Sequence, residues 1–229
     1  MTTLSDYITD NISESILSST RTGKAGIDEE LKKYGLKPAN VTLNADGSID
    51  YNGSVNLRRF DLTKLPFKFR KVSGGFDMAH NELTSLEGCP EEVNGDFLCD
   101  GNKLISLKGG PTQVGGHFLC YNNKLTTLDG APKEINGNFD CSHNNLTNLK
   151  HCPEKINGSF YCYTNHLTSL KGGPTHVDDG FYCHDNKLTS LEGLPKKLDG
   201  TLYCYNNLGK FTIKDVLAVC KMNRQHIII

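Results

Sequence analysis

The chain is predicted to be an α+β repeat solenoid of short parallel strands, and three features of its sequence predict it. An asparagine returns every 21 residues, at Asn81, Asn102, Asn123, Asn144, Asn165, Asn186 and Asn207. Ahead of each stand two apolar positions. Five places before come Phe76, Phe97, Phe118, Phe139, Phe160, Phe181 and Leu202; three places before come Met78, then Cys99, Cys120, Cys141, Cys162, Cys183 and Cys204. A fixed period of about 20–50 residues is the signature of stacked supersecondary units. Finally, only about ten residues separate Leu107 from the next strand, and Gly and Pro interrupt them. That is too short and too broken for an α-helix, so the return path should be extended or polyproline-like.

The elements follow in order. Residues 4–18 place Leu4, Tyr7, Ile8, Ile12, Ile16 and Leu17 at the spacing of a short amphipathic helix. Residues 19–26 are small, polar and basic and read as a linker. A second helix is expected over Ile27 to Tyr34, with Gly35 as its stop and Pro38 just beyond. From Val41 the period changes to two, and Asp46-Gly47 marks a hairpin turn. The first repeat strand is Val55 to Leu57. Each later unit carries Leu-x-x-Leu, a Gly and Pro segment (Pro90, Pro111, Pro132, Pro153, Pro174, Pro195) and an aliphatic residue (Val72, Val93, Val114, Ile135, Ile156, Val177, Leu198). The last unit has Gly209 in place of Leu; Thr212 and Asp215 then form a capping-box pair for a helix with Ile213, Val216, Leu217 and Cys220 on one face. Four segments result: a helical segment at 1–37, a capping hairpin at 38–54, an array of eight strand copies at 55–207, and a C-terminal capping helix at 208–229. Ends of a solenoid need such covers, because the terminal turns expose their core.

The unit F-x-C-x-x-N-x-L-x-x-L resembles the strand consensus of leucine-rich repeats, with Phe and Cys at the inward positions. The resemblance implies a horseshoe. Leu-x-x-Leu followed by Pro and an aliphatic looks like the short repeats of bacterial type III effectors. It departs by one inserted residue around the Gly and by lacking that subtype's first Pro. The string LTKLPFKFRKVSGGF and the LTSLEG units resemble repeat proteins encoded by tailed bacteriophages, over about 50–207, and ESILSSTRTGK does so as well. That resemblance implies a phage-encoded protein and carries no activity with it; a binder of that origin is expected to meet a host protein in the host cytoplasm.

Composition narrows the function. Across 229 residues the net charge is -1, which argues against nucleic acid as a bulk partner. One basic group, Arg58, Arg59, Lys64, Lys68, Arg70 and Lys71, reads as a solvated edge. No apolar run reaches the length of a membrane span, and no export signal precedes the array. Nine cysteines without such a signal point to a reducing, cytoplasmic setting.

Several motifs invite chemistry and are expected to be structural. The cysteine ladder sits inward, where free Cys behaves as a small hydrophobe, so no metal is expected. Cys89 and Cys152 share a further repeat position and should be inert. The asparagine column should satisfy backbone groups between turns. Cys183, His184 and Asp185 are adjacent, and on a strand adjacent side chains point to opposite faces and cannot converge. The chain therefore reads as a non-enzyme with no cofactor.

The outward strand positions carry the functional expectation. Alternation sends Leu119, Tyr121, Asp140, Tyr161, Tyr163, Tyr182, His184, Tyr203 and Tyr205 to the concave sheet surface. Six of the nine tyrosines line that face, five of them in the last three repeats. Tyr supplies large contact area at low entropy cost, which is the chemistry of a protein-binding patch. An alternative is a virion component, since Ile12-Ser13-Glu14-Ser15 resembles sites cut by phage prohead proteases.

Overall fold

A strand of two residues cannot stand alone; it persists when each copy hydrogen-bonds to a copy on either side. In the computed structural model, which describes residues 22–229, the chain winds into a parallel-strand β-solenoid of about 9 turns. Its longest sheet holds nine strands among the described residues, running from Val55–Asn56 through Phe76–Asp77 and Phe97–Leu98 to Leu202–Tyr203 and Ile227–Ile228. The register is one period per turn: Phe97 pairs with Phe118, Phe139 with Phe160, Phe181 with Leu202. The expected helix over 4–18 lies outside the described residues.

The return path is extended, and much of it forms a second row of strands. Phe69–Val72, Glu92–Val93 and Gln113–Val114 stack in parallel, as do Glu134–Ile135, Lys155–Ile156 and His176–Val177. The reason is the aliphatic column. Val93, Ile135 and Ile156 are at most 1% exposed, and burying one side chain per turn fixes the backbone beside it. Between the two rows lies the core, a column of Phe76, Phe97, Phe118, Phe139, Phe160 and Phe181, all 0% exposed. Successive rings sit 5.0–6.1 Å apart, within the range of favourable aromatic pairs. The Leu-x-x-Leu pairs fill the third side.

At the N-terminal end, helix α1 (Thr22–Lys33) starts within the stretch expected to be a linker. Its buried residues Ile27 and Leu31 need a complete helical turn, so the residues before Ile27 are recruited to supply carbonyl acceptors. Gly35, at φ +68°, ends the element, with the Leu36 N–H bonding back to Leu31 O. Strands β1 (Val41–Leu43) and β2 (Ile49–Tyr51) form the hairpin around Asp46-Gly47. Strand β2 also pairs in parallel with Phe69–Val72, so the hairpin continues into the second row.

At the other end, helix α2 (Ile213–Val219) carries the capping box: the Asp215 N–H donates to Thr212 Oγ1, and the Thr212 N–H donates to Asp215. Val216 and Cys220 are buried, but Leu217 is 43% exposed, against the expectation that it shares their face. The helix has only seven residues, and beyond it the chain turns back to add the strand Ile227–Ile228 beside Leu202–Tyr203. That strand was not expected, because Ile227 and Ile228 carry no Phe-x-Cys signature.

Two ladders of polar contacts and one column of left-handed residues run along the turns. Each buried asparagine bridges its own turn and the one before. Asn123 Nδ2 donates to Cys120 O at 3.1 Å and to Cys99 O at 3.0 Å, while its Oδ1 accepts from the Leu104 N–H. A second ladder runs along the start of each long-sheet strand: His117 N–H donates to Asp96, Asn138 N–H to His117 Nδ1, Ser159 N–H to Asn138, Gly180 N–H to Ser159. A third column, the residue before each asparagine, is left-handed: His80, Gly101, Asn122, His143, Thr164, Asp185 and Asn206 have φ between +50° and +64°. This turns the chain out of the strand so that the next residue, the asparagine, faces inward. Only one of the seven is Gly, so the array holds this turn through its hydrogen bonds despite a cost of about 1–2 kcal/mol per non-glycine residue.

The cysteine ladder is buried, with Cys99, Cys120, Cys141, Cys162 and Cys183 all 0% exposed and every cysteine free. Burial in apolar surroundings pushes these thiols well above their usual range, and Cys204, near the end of the stack, up to about 11. Because the thiolate is the reactive form, the folded chain should resist a thiol reagent at pH 8 and take up nine equivalents in denaturant. Rapid labelling of the ladder in the native state would refute this packing.

Candidate binding face

The outer face of the nine-stranded sheet follows from the same alternation. With Phe and Cys turned inward, the residues between and after them form two outward columns. One runs Asn56, Asp77, Leu98, Leu119, Asp140, Tyr161, Tyr182, Tyr203; the other runs Arg58, Ala79, Asp100, Tyr121, Ser142, Tyr163, His184, Tyr205. All nine residues expected at this face occupy it and are partly exposed.

From Tyr161 onward the face is a grid of six rings. In the first column Tyr161 stacks on Tyr182 with centroids 4.5 Å apart and 13° between planes, and Tyr182 stacks on Tyr203 at 4.9 Å and 16°. In the second, Tyr163 stacks on His184 at 4.6 Å and 7°, and His184 on Tyr205 at 4.6 Å and 22°. These spacings are set by the strand separation of about 4.8 Å, so the sheet itself imposes the stack. Edge contacts join the columns, Tyr161 to Tyr163 and Tyr203 to Tyr205, and His143 meets Tyr163 edge-on at 5.1 Å. Gly180 makes room for this: a Cβ there would lie 2.5 Å from the Tyr182 ring. Leu119, Tyr121 and Asp140 share the face but not the grid.

His184 is the grid's hinge between columns and turns. Its side chain is only 13% exposed, clasped by two tyrosines, and its Nδ1 is buried without a hydrogen-bond partner. Burial pushes its pKa below the usual value, so the ring is neutral at pH 7. Its Nε2 reaches Asp185 at 3.7 Å, which corrects the expectation that neighbours here cannot converge. The strand ends at Tyr182, and Asp185 takes the left-handed turn that swings it beside the imidazole. Cys183 remains in the core on the other side of the backbone.

The first turns are acidic instead. Arg58 approaches Asp77 at 3.7 Å, and His80 approaches the buried Asp100 at 3.5 Å. Burial and the neighbouring Asp100 carboxylate hold the Tyr121 hydroxyl up at about 12. Asp140 Oδ1 accepts from the Ser142 N–H and Oγ, and burial pushes this carboxyl upward. The basic group away from the face is paired: Lys68 with Asp46, Arg70 with Asp50, Lys71 with Glu92.

Sequence reasoning missed His143 and Gly180. The 21-residue period places both in named columns, but those columns hold mixed residue types, with His143 matched only by His80 and Gly180 only by Gly75. Among the described residues, no helix is long and apolar enough to cross a membrane, and no group of three or more His, Cys, Asp and Glu side chains is placed to hold a metal ion. No protein-family model matches the chain, and no curated protein matches it.

Proposed function

We propose that this chain is a leucine-rich-repeat scaffold that binds a protein, without chemistry of its own, through the outer face of its long sheet. One observation carries the reading: six stacked rings form a continuous, uncharged surface at one end of a face whose other end mixes acids with Leu98 and Leu119. Packing alone does not require this, since the inward columns already fill the core. Aromatic rings held rigid by their neighbours lose little entropy on binding, which is what interface hot spots exploit. In this reading α1 with the β1–β2 hairpin, and α2 with its following strand, cover the ends of the array. The resemblance to phage repeat proteins adds the further proposal that the partner is a host protein, bound in the host cytoplasm and blocked by occlusion.

The test is an affinity pull-down from lysate, comparing wild type with Tyr163→Ala/Tyr182→Ala/Tyr205→Ala and with Gly180→Ala. The second variant removes no ring, and the three atoms nearest its new Cβ all belong to the Tyr182 side chain, so it should fold while breaking the stack. A protein held by wild type and lost by both variants, with affinity down at least about ten-fold, is expected. Equal retention by the triple variant rules out this face.

A further inference from the structure

This inference deepens the protein-binding reading and rests on it. Within the grid the ring faces are consumed by ring–ring stacking, so the surface offers mainly edges and hydroxyls. Such groups suit the amides of a peptide, whereas a base needs an open ring face to stack upon. Tyr161 is different. It stacks on Tyr182 on one side, and on the other its in-register neighbour is Asp140. The second face of Tyr161 therefore meets a carboxylate and no ring.

That carboxylate has no direct ion-pair partner, and the basic group whose charge reaches it is His143. Asp140 Oδ1 is satisfied by Ser142 at 2.9 and 2.6 Å, and no Lys, Arg or His of the described chain forms an ion pair with Asp140. Two turns away the Asp100 side chain is 2% exposed, and its Oδ2 has no hydrogen-bond donor, only His80 at 3.5 Å. Along both outward columns the acids are Asp77, Asp100 and Asp140, and the one Lys or Arg is Arg58, beside Asp77. The face is aromatic at one end, acid-rich toward the other, and the two regions meet at the Asp140–Tyr161 step.

We propose that this face takes an extended basic peptide segment of a partner protein, with one arginine seated at the Asp140–Tyr161 step. The guanidinium lies flat on the free face of Tyr161 and donates to Asp140 Oδ2. The stack of hydroxyls from Tyr161 to Tyr203 then hydrogen-bonds the partner's backbone. Arginine fits better than lysine, because a planar cation stacks on a ring while its edge still reaches a carboxylate.

The probe is a fluorescein-labelled acetyl-Gly-Arg-Gly-Arg-Gly-amide, titrated with the full chain and followed by anisotropy, beside its Lys and Glu counterparts. Saturable binding of the Arg peptide, weaker binding of the Lys peptide and none of the Glu peptide are expected. Asp140→Asn, which keeps the acceptor used by Ser142, should weaken the Arg peptide about ten-fold or more. Tyr161→Leu should weaken it too, and Asp199→Asn, a surface acid elsewhere, should not. An Asp140→Asn variant that binds like wild type, an equal loss with Asp199→Asn, or preference for the Glu peptide overturns the seat. The lysate experiment separates the two readings. If Asp140→Asn keeps a partner that the Tyr variants lose, the face stands and the arginine seat falls; if the Tyr variants keep it too, both fall.

Discussion

Replacing Phe139 by alanine should lower the stability of the array by about 3–5 kcal/mol, one of the two largest losses available to a single substitution. Phe139 is 0% exposed and lies between Phe118 at 5.5 Å and Phe160 at 6.0 Å. Truncation removes its own buried area and the two ring contacts, and the cavity cannot collapse, because hydrogen bonds from Phe118 N–H and Phe139 N–H hold the strands on either side. Phe139→Leu, which refills most of the space, should cost about 1 kcal/mol. Urea unfolding followed by tyrosine fluorescence reads the difference, since the chain has no Trp. A Phe139→Ala midpoint close to wild type would mean that the ring column contributes little.

Asn144→Ala should be nearly as damaging, about 3 kcal/mol, for a different reason. Asn144 is 6% exposed, donates to Cys120 O and Cys141 O at 3.1 Å, and accepts from the Leu125 N–H at 2.9 Å. Alanine leaves that N–H and those carbonyls buried beyond the reach of water, and the unmet groups set the penalty. At the half-buried Asn207, which makes the same set of bonds, water can replace the amide, so Asn207→Ala should cost about 1 kcal/mol. Equal losses at the two sites would show that burial is not what makes the ladder matter. Asn144→Asp sharpens the test. Its new carboxyl would face two carbonyl oxygens, which raises its folded pKa above the unfolded value of about 4. Its destabilisation should therefore be smallest below pH 4 and grow as pH rises through the folded pKa.

Columns filled by one residue type were legible in the sequence. Phe, Cys and Asn repeat because each position asks for one chemistry: a large ring, a small apolar group, or an amide that donates and accepts at once. The outward columns were legible by alternation alone. Illegible were the positions defined by the backbone. His143, Thr164 and Asp185 share a left-handed turn although their side chains have nothing in common, and Asp96, His117, Asn138 and Ser159 share a ladder because any acceptor suffices. The final strand was hidden for the same reason, since Ile227 needs only to be apolar to pair with Leu202. Pairing of the rings into a grid is a property of adjacent turns, and Gly180 matters because the Tyr182 ring lies where its side chain would be.

The ladders bind each turn to its immediate neighbours, one period away in sequence. Length is therefore a quantity this architecture can change in whole steps. Losing or gaining one block of 21 residues keeps every column in line, whereas a single-residue slip breaks all of them together. Duplication of a gene segment coding for one of the Tyr-bearing turns would extend the aromatic grid by two positions and leave the two ends untouched. The recognition surface is thus a ruler graduated in turns, able to be recut to a longer or shorter partner without redesigning the fold.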